Sequence, residues 1–372
     1  MRITDVRAMH LALPSIARRS DGTQDALIVV VDTDAGIQGV GEVDASPLAA
    51  KAAIEAPMSN SITSGLREVV LGHDPLERER LWHAMYQASR YTGRRGLFIH
   101  AMSGIDLALW DIFGKATGLP VHTLLGGAFQ RRVRAYASTL FGDSVASTAD
   151  RARWCVDQGF TAVKFGWDPL GKDPDYDEAL VAGIRTAIGP DVDLLIDAGQ
   201  CWDLKQARQM VERLAPYDLY WLEEPLPPDD VAGYGELARA VSMRIAAGEA
   251  ESERRSYLHL MDAGRIDVVQ IDPTRTGGLT EARKIAWAAI DRGRSVVNHA
   301  FTTDINVAAS LALVASVPNA PFVEFCVEES PIRTELVRNR FEVVDGYVHV
   351  RDEPGLGVDV DFDALERYAY RA

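Results

Sequence analysis

The stretch VDLLIDAGQCWDLKQARQMVERLAPYDLYWLEEP (residues 192–225) contains one whole repeat of this chain. A short apolar run at 192–196 ends in Asp197, a polar loop and a segment able to hold an amphipathic helix follow, and a second apolar run at 219–222 ends in Glu223. Working outward, the same unit recurs, with short strands read at 134–138, 161–165, 192–196, 219–222, 244–247, 267–271, 295–298 and 321–325. Strands alternating with helical segments point to an α/β fold, a parallel barrel with its helices outside. The rival, an open doubly wound sheet, needs a glycine-rich phosphate loop after an early strand, and the sequence has none.

The flanks differ in character. The first 45 residues alternate as antiparallel strands do, with a turn at Asp34-Ala35-Gly36. From Pro47 to about residue 118 apolar residues recur at helical spacing; Ile99, Met102, Ile105, Leu109 and Ile112 form one stripe, closed by Gly118 ahead of Pro120. This is an α+β domain preceding the barrel. The tail FEVVDGYVHVRDEPGLGVDV (341–360) reads as strand, Asp-Gly turn, strand and loop, and is expected to pack back on the first domain.

One polar residue closes each later strand: Asp197, Glu223, Glu249, Asp272, His299 and Glu324, spaced about one βα unit apart. In a parallel barrel that height is the C-terminal mouth, where catalytic groups gather. Asp197, Glu223 and Glu249 without a counter-charge would repel strongly, so a cation among them is the simplest expectation. Oxygen-only ligands favour Mg²⁺, or Mn²⁺, over Zn²⁺. Acidic residues after strands are ordinarily helix N-caps, but Glu is a poor N-cap and the spacing is matched over three successive units. Asp272, one strand from His299, is placed to fix the imidazole tautomer and make His299 a general base. Glu224 falls on the opposite strand face from Glu223 and is read as structural. In VKFGW (163–167), alternation turns Lys164 and Gly166 inward and Val163 and Phe165 towards the helices.

Bulk properties exclude other classes. With 39 Lys and Arg against 54 Asp and Glu, a net charge of −15 leaves no basic footprint for nucleic acid. Cys155, Cys201 and Cys326 form no CxxC pair and read as reduced packing residues of a cytoplasmic protein. The N-terminus carries no signal-type apolar run, and no membrane association is expected.

Taken in order, SGIDLALWDIFGKATGLPVHTLLGG, VKFGW, IDAG, WLEEP, AAGE, QIDPTRTGGLTEA, NHAF, FVEF and PGLGVD resemble the enolase superfamily, in its mandelate racemase / muconate lactonizing enzyme-like subgroup, from end to end. The resemblance implies a modified (β/α)7β TIM barrel at 126–335 under a capping domain at 1–125 that is completed by about 336–372. It implies one Mg²⁺ on Asp197, Glu223 and Glu249, and abstraction of the proton α to a carboxylate to give an enediolate. Lys164 would be a second cation near the substrate carboxylate, and Glu324 a neutral donor to its other oxygen.

Two departures bear on the reaction. Much of the subgroup carries Lys-x-Lys on the second strand, its second lysine the base on the face opposite the histidine; here that position is Gly166. Many members have Ala-Asn after the first metal Asp, where this chain has Ala198-Gly199. A single base suits dehydration of an aldonate or aldarate to a 2-keto-3-deoxy acid. A racemase, epimerase or cycloisomerase, with Tyr91 or a cap residue replacing the lysine, is the alternative, and a barrel that binds metal and ligand without turnover is the third. The substrate is expected to be a small carboxylic acid: Arg18 and Arg19 in SIARRSDGTQ are the candidates for the distal end of a polar or diacid substrate, and Glu42 and Asp44 in GEVDASP for its hydroxyl groups. Symmetric homo-oligomers are common in the family, and one is expected here.

Overall fold

The computed structural model describes residues 1–371. The N-terminal layer is an antiparallel sheet of β1 (Ile3–Ala12), β2 (Asp25–Thr33) and β3 (Gln38–Val43), in that order, covered by α1 (Pro47–Glu55), α2 (Leu66–Val70), α3 (Arg78–Ser89) and α4 (Leu97–Thr117). The stripe Ile99, Met102, Ile105, Leu109 and Ile112 is fully buried and packs into the core formed with the inner faces of β1 and β2. By length and apolar content α4 would suit a membrane span, but 78% of that window is buried inside the protein, which makes it the core helix of this layer.

After the single turn α5 (Val121–Leu124), eight strands alternate with helices: β4 (Arg132–Leu140), α6 (Val145–Asp157), β5 (Ala162–Gly166), α7 (Pro174–Ile188), β6 (Asp193–Asp197), α8 (Leu204–Leu214), β7 (Leu219–Glu223), α9 (Val231–Ala240), β8 (Ile245–Ala247), α10 (Arg254–Asp262), β9 (Val268–Ile271), α11 (Leu279–Ile290), β10 (Ser295–Asn298), α12 (Asp304–Ala315) and β11 (Val323–Cys326). Each of β4 to β9 pairs in parallel with the next, and β11 returns to pair with β4. Between β10 and β11 a side chain stands in for the ladder: the Glu324 N–H donates to Asn298 Oδ1 at 2.9 Å. This is the expected modified (β/α)7β barrel, with its strands where the apolar runs lie.

The barrel is filled, not hollow. Tyr136, Ala162, Leu195, Trp221, Ala246, Val268, Val297 and Phe322, one from or beside each strand, form a separate buried cluster along the axis. Bulky residues on some strands meet alanines on others, which lets the layer interdigitate. Val163 and Phe165 point out into the helix-packed core.

The tail departs from expectation. After α13 (Pro331–Glu335), the hairpin β12 (Val343–Val344) and β13 (Tyr347–His349) turns at Asp345-Gly346 as read, but β13 pairs antiparallel with β4, at Arg132–Arg134. The hairpin therefore extends the barrel sheet instead of packing on the first domain. It also explains why β4 begins at Arg132, earlier than the apolar run suggests, since the extra ladder bonds recruit its polar start. Only beyond the hairpin does the chain rejoin the N-terminal layer. The Leu356 N–H donates to Asp111 Oδ1 of α4 (2.9 Å), and past α14 (Phe362–Arg367) the Tyr370 N–H donates to the carbonyl of His10 in β1 (2.8 Å).

Candidate active site

Strand phase delivers most of the site. Two residues beyond the axial cluster, alternation turns Ser138, Lys164, Asp197, Glu223, His299 and Glu324 inward at the mouth, and four beyond Val268 it does the same for Asp272. Glu249 is out of phase. Ala247 faces the helices, and Gly248 (φ 138) then swings the chain so that Glu249 enters the barrel.

Asp197, Glu223 and Glu249 are buried, and each places one carboxylate oxygen within 4.8 Å of the others. Trp221 Nε1–H donates to Glu223 (3.0 Å) and the Gly199 N–H to Asp197 (2.8 Å), which orients two of the three. Burial pushes the Asp197 carboxyl well above its usual range and the Glu223 carboxyl upward, with the neighbouring carboxylates adding to it and Lys164 opposing it. Three dry, mutually repelling oxygens fit a divalent cation. A second group, Asp44, Asp272 and His299, is equally close. It already holds a cation, because Arg275 lies 2.8 Å from Asp44 and 3.8 Å from Asp272, so the metal-like set is the first one.

Lys164 is buried with Nζ 2.6 Å from Glu223 and 2.9 Å from Glu324. Desolvation would lower its pKa, but those two carboxylates hold it well above the usual lysine range. Burial alone would raise the Glu324 carboxyl. Lys164, His299 and the Ala300 N–H, which donates to it at 2.6 Å, reverse this and hold it below its ordinary value. These contacts favour the ionised form of Glu324 beside Lys164, whereas the resemblance implies a neutral donor.

His299 Nδ1 lies 2.7 Å from Asp272 Oδ2, and both side chains are buried. The far oxygen of Asp272 accepts the N–H and Oγ1–H of Thr274, each at 2.6 Å, so the carboxylate that orients the ring is itself fixed. Burial lowers the imidazole, but Glu249 at 3.5 Å and Asp272 raise it to about 10.

These groups surround a cavity of ≈ 300 Å³ whose lining includes Asp44, Lys164, Asp197, Glu249, His299 and Glu324, together with Ser20, Asp21, Arg275 and Phe301. Asp272 and Glu223 lie just behind it. Arg18 and Arg19 do not reach this space. They border an adjoining crevice that shares Ser20, Thr139, Leu140 and Trp167 with it, and the Arg19 guanidinium is paired with Asp21. Tyr91 is 77% exposed and lies outside the cavity. Glu224 supports the site from behind, accepting from Gln200 Nε2 at 2.5 Å and from the Ala250 N–H at 3.4 Å.

One residue escaped the sequence reading and another has a different role. Arg275 is a buried counter-charge to Asp44, Glu249 and Asp272, so the mouth is not a bare carboxylate cluster. A cation three residues after Asp272 in QIDPTR was the available signal. Glu42, read as a ligand for substrate hydroxyls, is fully buried and instead accepts from Thr303 Oγ1 (2.7 Å) and the Asn306 N–H (3.0 Å), capping α12 from the other layer. Asn306 Nδ2 in turn faces Asp272 Oδ1 at 3.5 Å.

Gly166 is not open space. A Cβ placed there would stand 2.8 Å from the Asp197 Cβ and 2.9 Å from its Oδ2. No side chain enters at this position unless Asp197 moves.

Comparison with known proteins agrees with this architecture. Residues 2–126 match the family model for the mandelate racemase / muconate lactonizing enzyme N-terminal domain, and residues 147–364 match the enolase C-terminal domain-like model. Among relatives, the D-galactarolactone cycloisomerase of Agrobacterium fabrum is 33% identical over 99% of both chains. The L-rhamnonate dehydratase of Saccharopolyspora erythraea is 32% identical over 92% of this chain and 85% of its own. The crystal structure of the 3,6-anhydro-D-galactonate cycloisomerase from Zobellia galactanivorans superimposes with a TM-score of 0.91 at 32% identity, covering 100% of both chains.

Proposed function

Because the chain belongs to the mandelate racemase / muconate lactonizing enzyme branch of the enolase superfamily, we propose that it removes the α-proton of a sugar acid with one base and expels the oxygen on the β-carbon. The favoured form is dehydration of an aldonate or aldarate to its 2-keto-3-deoxy acid. The observation that carries this reading is the asymmetry of the mouth: an oriented His299–Asp272 pair on one side, and on the other Gly166, which offers no base and where a side chain would crowd Asp197. Exchange of configuration at the α-carbon ordinarily needs a base on each face, whereas elimination needs one.

Asp197, Glu223 and Glu249 would hold Mg²⁺, with Mn²⁺ the alternative, and this cation supplies the positive charge that offsets the second negative charge developing on the substrate carboxylate. Glu249 is the main charge that raises the imidazole, so with that charge offset in the loaded site His299 Nε2 is free to take the α-proton, while Asp272 keeps Nδ1 protonated and steadies the resulting imidazolium. The electron pair of the broken C–H bond moves into the enediolate. Its collapse breaks the bond to the β-oxygen, which takes the proton from His299 and leaves as water. The remaining enol becomes the 2-keto acid by proton transfer to the β-carbon.

Ring opening is the second reading, supported by the full-length similarity to two cycloisomerases. In a 3,6-anhydro aldonate the oxygen on the β-carbon is a ring ether, so the same elimination opens the ring and loses no atom. A panel of aldonic and aldaric acids, an aldaric monolactone and a 3,6-anhydro aldonic acid, incubated with Mg²⁺ in D₂O, separates the cases by mass. Loss of water from an open-chain acid supports dehydration. A ring-opened isomer supports the second reading. Deuterium at an inverted α-carbon sinks both in favour of epimerisation, and no change in any acid leaves a barrel that binds without turnover.

A further inference from the structure

The two departures from the family pattern, Gly166 and Gly199, meet at one side chain. Trp167 leaves β5 with φ 72, a left-handed conformation that a bulky residue rarely adopts, and its N–H donates to the Asp197 carbonyl at 3.2 Å. Its indole lies over Gly199, where an added Cβ would stand 3.1 Å from the ring. Gly199 itself has φ 56, so glycine suits this place twice over: a side chain would crowd the ring and would sit on a left-handed backbone. The ring is 38% exposed and borders both the main cavity and the crevice holding Arg18 and Arg19. The wall without the second lysine is thus aromatic, three strands round the barrel from His299.

A sugar acid presents hydroxyls at its edges and carbon-bound hydrogens on its faces, and an indole face matches the latter. Resting on the reading of this site as one for sugar acids, we propose that Trp167 is a specificity-determining residue: its indole carries the C–H face of the substrate beyond the reacting carbons, on the wall away from His299. The residue touches neither the α-proton nor the leaving oxygen, so its effect falls on binding and not on the chemical step. Gly199 is the partner that lets it stand there.

The test uses the whole protein with Mg²⁺ and four probes: D-gluconate, D-galactonate, 3,6-anhydro-D-galactonate, and glycolate, which has no carbon beyond the α-carbon. Binding is followed by calorimetry and by tryptophan emission in the wild type, Trp167→Phe and Trp167→Ala. The expected result is that at least one sugar acid changes the emission, that Trp167→Phe loses the change while binding within about threefold of wild type, and that Trp167→Ala binds about tenfold more weakly. Glycolate binding stays the same in all three, and where turnover occurs KM rises with kcat nearly unchanged. The inference is overturned if Trp167→Ala binds the sugar acids like the wild type, if the emission change survives in Trp167→Phe, if glycolate weakens in parallel, or if no sugar acid binds. Binding that depends on Trp167 without turnover of any acid sinks the elimination reading and leaves this one standing.

Discussion

The two walls of the mouth are built on opposite terms. On the His299 side every polar group is held by another: Asp272 by Thr274, Arg275 by Asp44, and the start of α12 by Glu42 reaching across from β3. On the Gly166 side there is close packing in place of a network, with Gly166 against Asp197 and Trp167 over Gly199. The difference teaches that the missing lysine has a steric as well as a chemical side, because a side chain at Gly166 would crowd Asp197, one of the three carboxylates proposed to hold the metal.

The comparison can be broken at its strongest point first. His299→Asn keeps the bond to Asp272 but has no base, and kcat should fall by about 10³-fold or more while the fold survives. Near-normal turnover, or α-deuterium exchange at the wild-type rate, would remove His299 as the base. Next, Asp197→Asn should abolish the rise in melting temperature that Mg²⁺ gives the wild type and lower kcat about 10²-fold; an undiminished Mg²⁺ response in a thermal scan would free Asp197 from metal binding. On the other wall, Gly166→Lys is expected to restore no second base. It should push on Asp197, weaken Mg²⁺ binding about tenfold and cost about 1–3 kcal/mol of stability, and a gain of racemisation would show that the wall tolerates the lysine after all.

The smallest effect tests the network behind His299. Burial first, then the charge of Asp44, raise the Glu42 carboxyl from 4.5 to about 7, against the bonds from Thr303, Thr302 and Asn306. A carboxyl raised in the folded state favours folding at low pH, and that contribution is lost as pH rises through about 7. Glu42→Gln should therefore match the wild type at acid pH and gain on it by about 2–4 °C above neutrality. Parallel melting curves across pH would show Glu42 to be ionised and satisfied throughout.

How much was legible follows from range. The strands, the acids at their ends and the His299–Asp272 pairing could be read because each is a local pattern repeated at one height. Asp197, Glu223, His299 and Glu324 sit two residues beyond the axial cluster, and a period of two survives in sequence. Glu249 was found by spacing and not by alternation, because Gly248 changes its phase. The docking of β13 on β4, the capping of α12 by Glu42 and the ring of Arg275 contacts were not legible, since each joins residues whose proximity no local period encodes.

By itself, then, the sequence determined the barrel, the order of its strands and the chemical character of the mouth, because hydrophobic periodicity and one polar residue per unit are properties of single segments. Tertiary structure alone decided what the glycines mean. Gly166 and Gly199 are blank in sequence, and only the placing of Asp197 and Trp167 against them, at distances that would crowd an added Cβ, turns two absences into a wall.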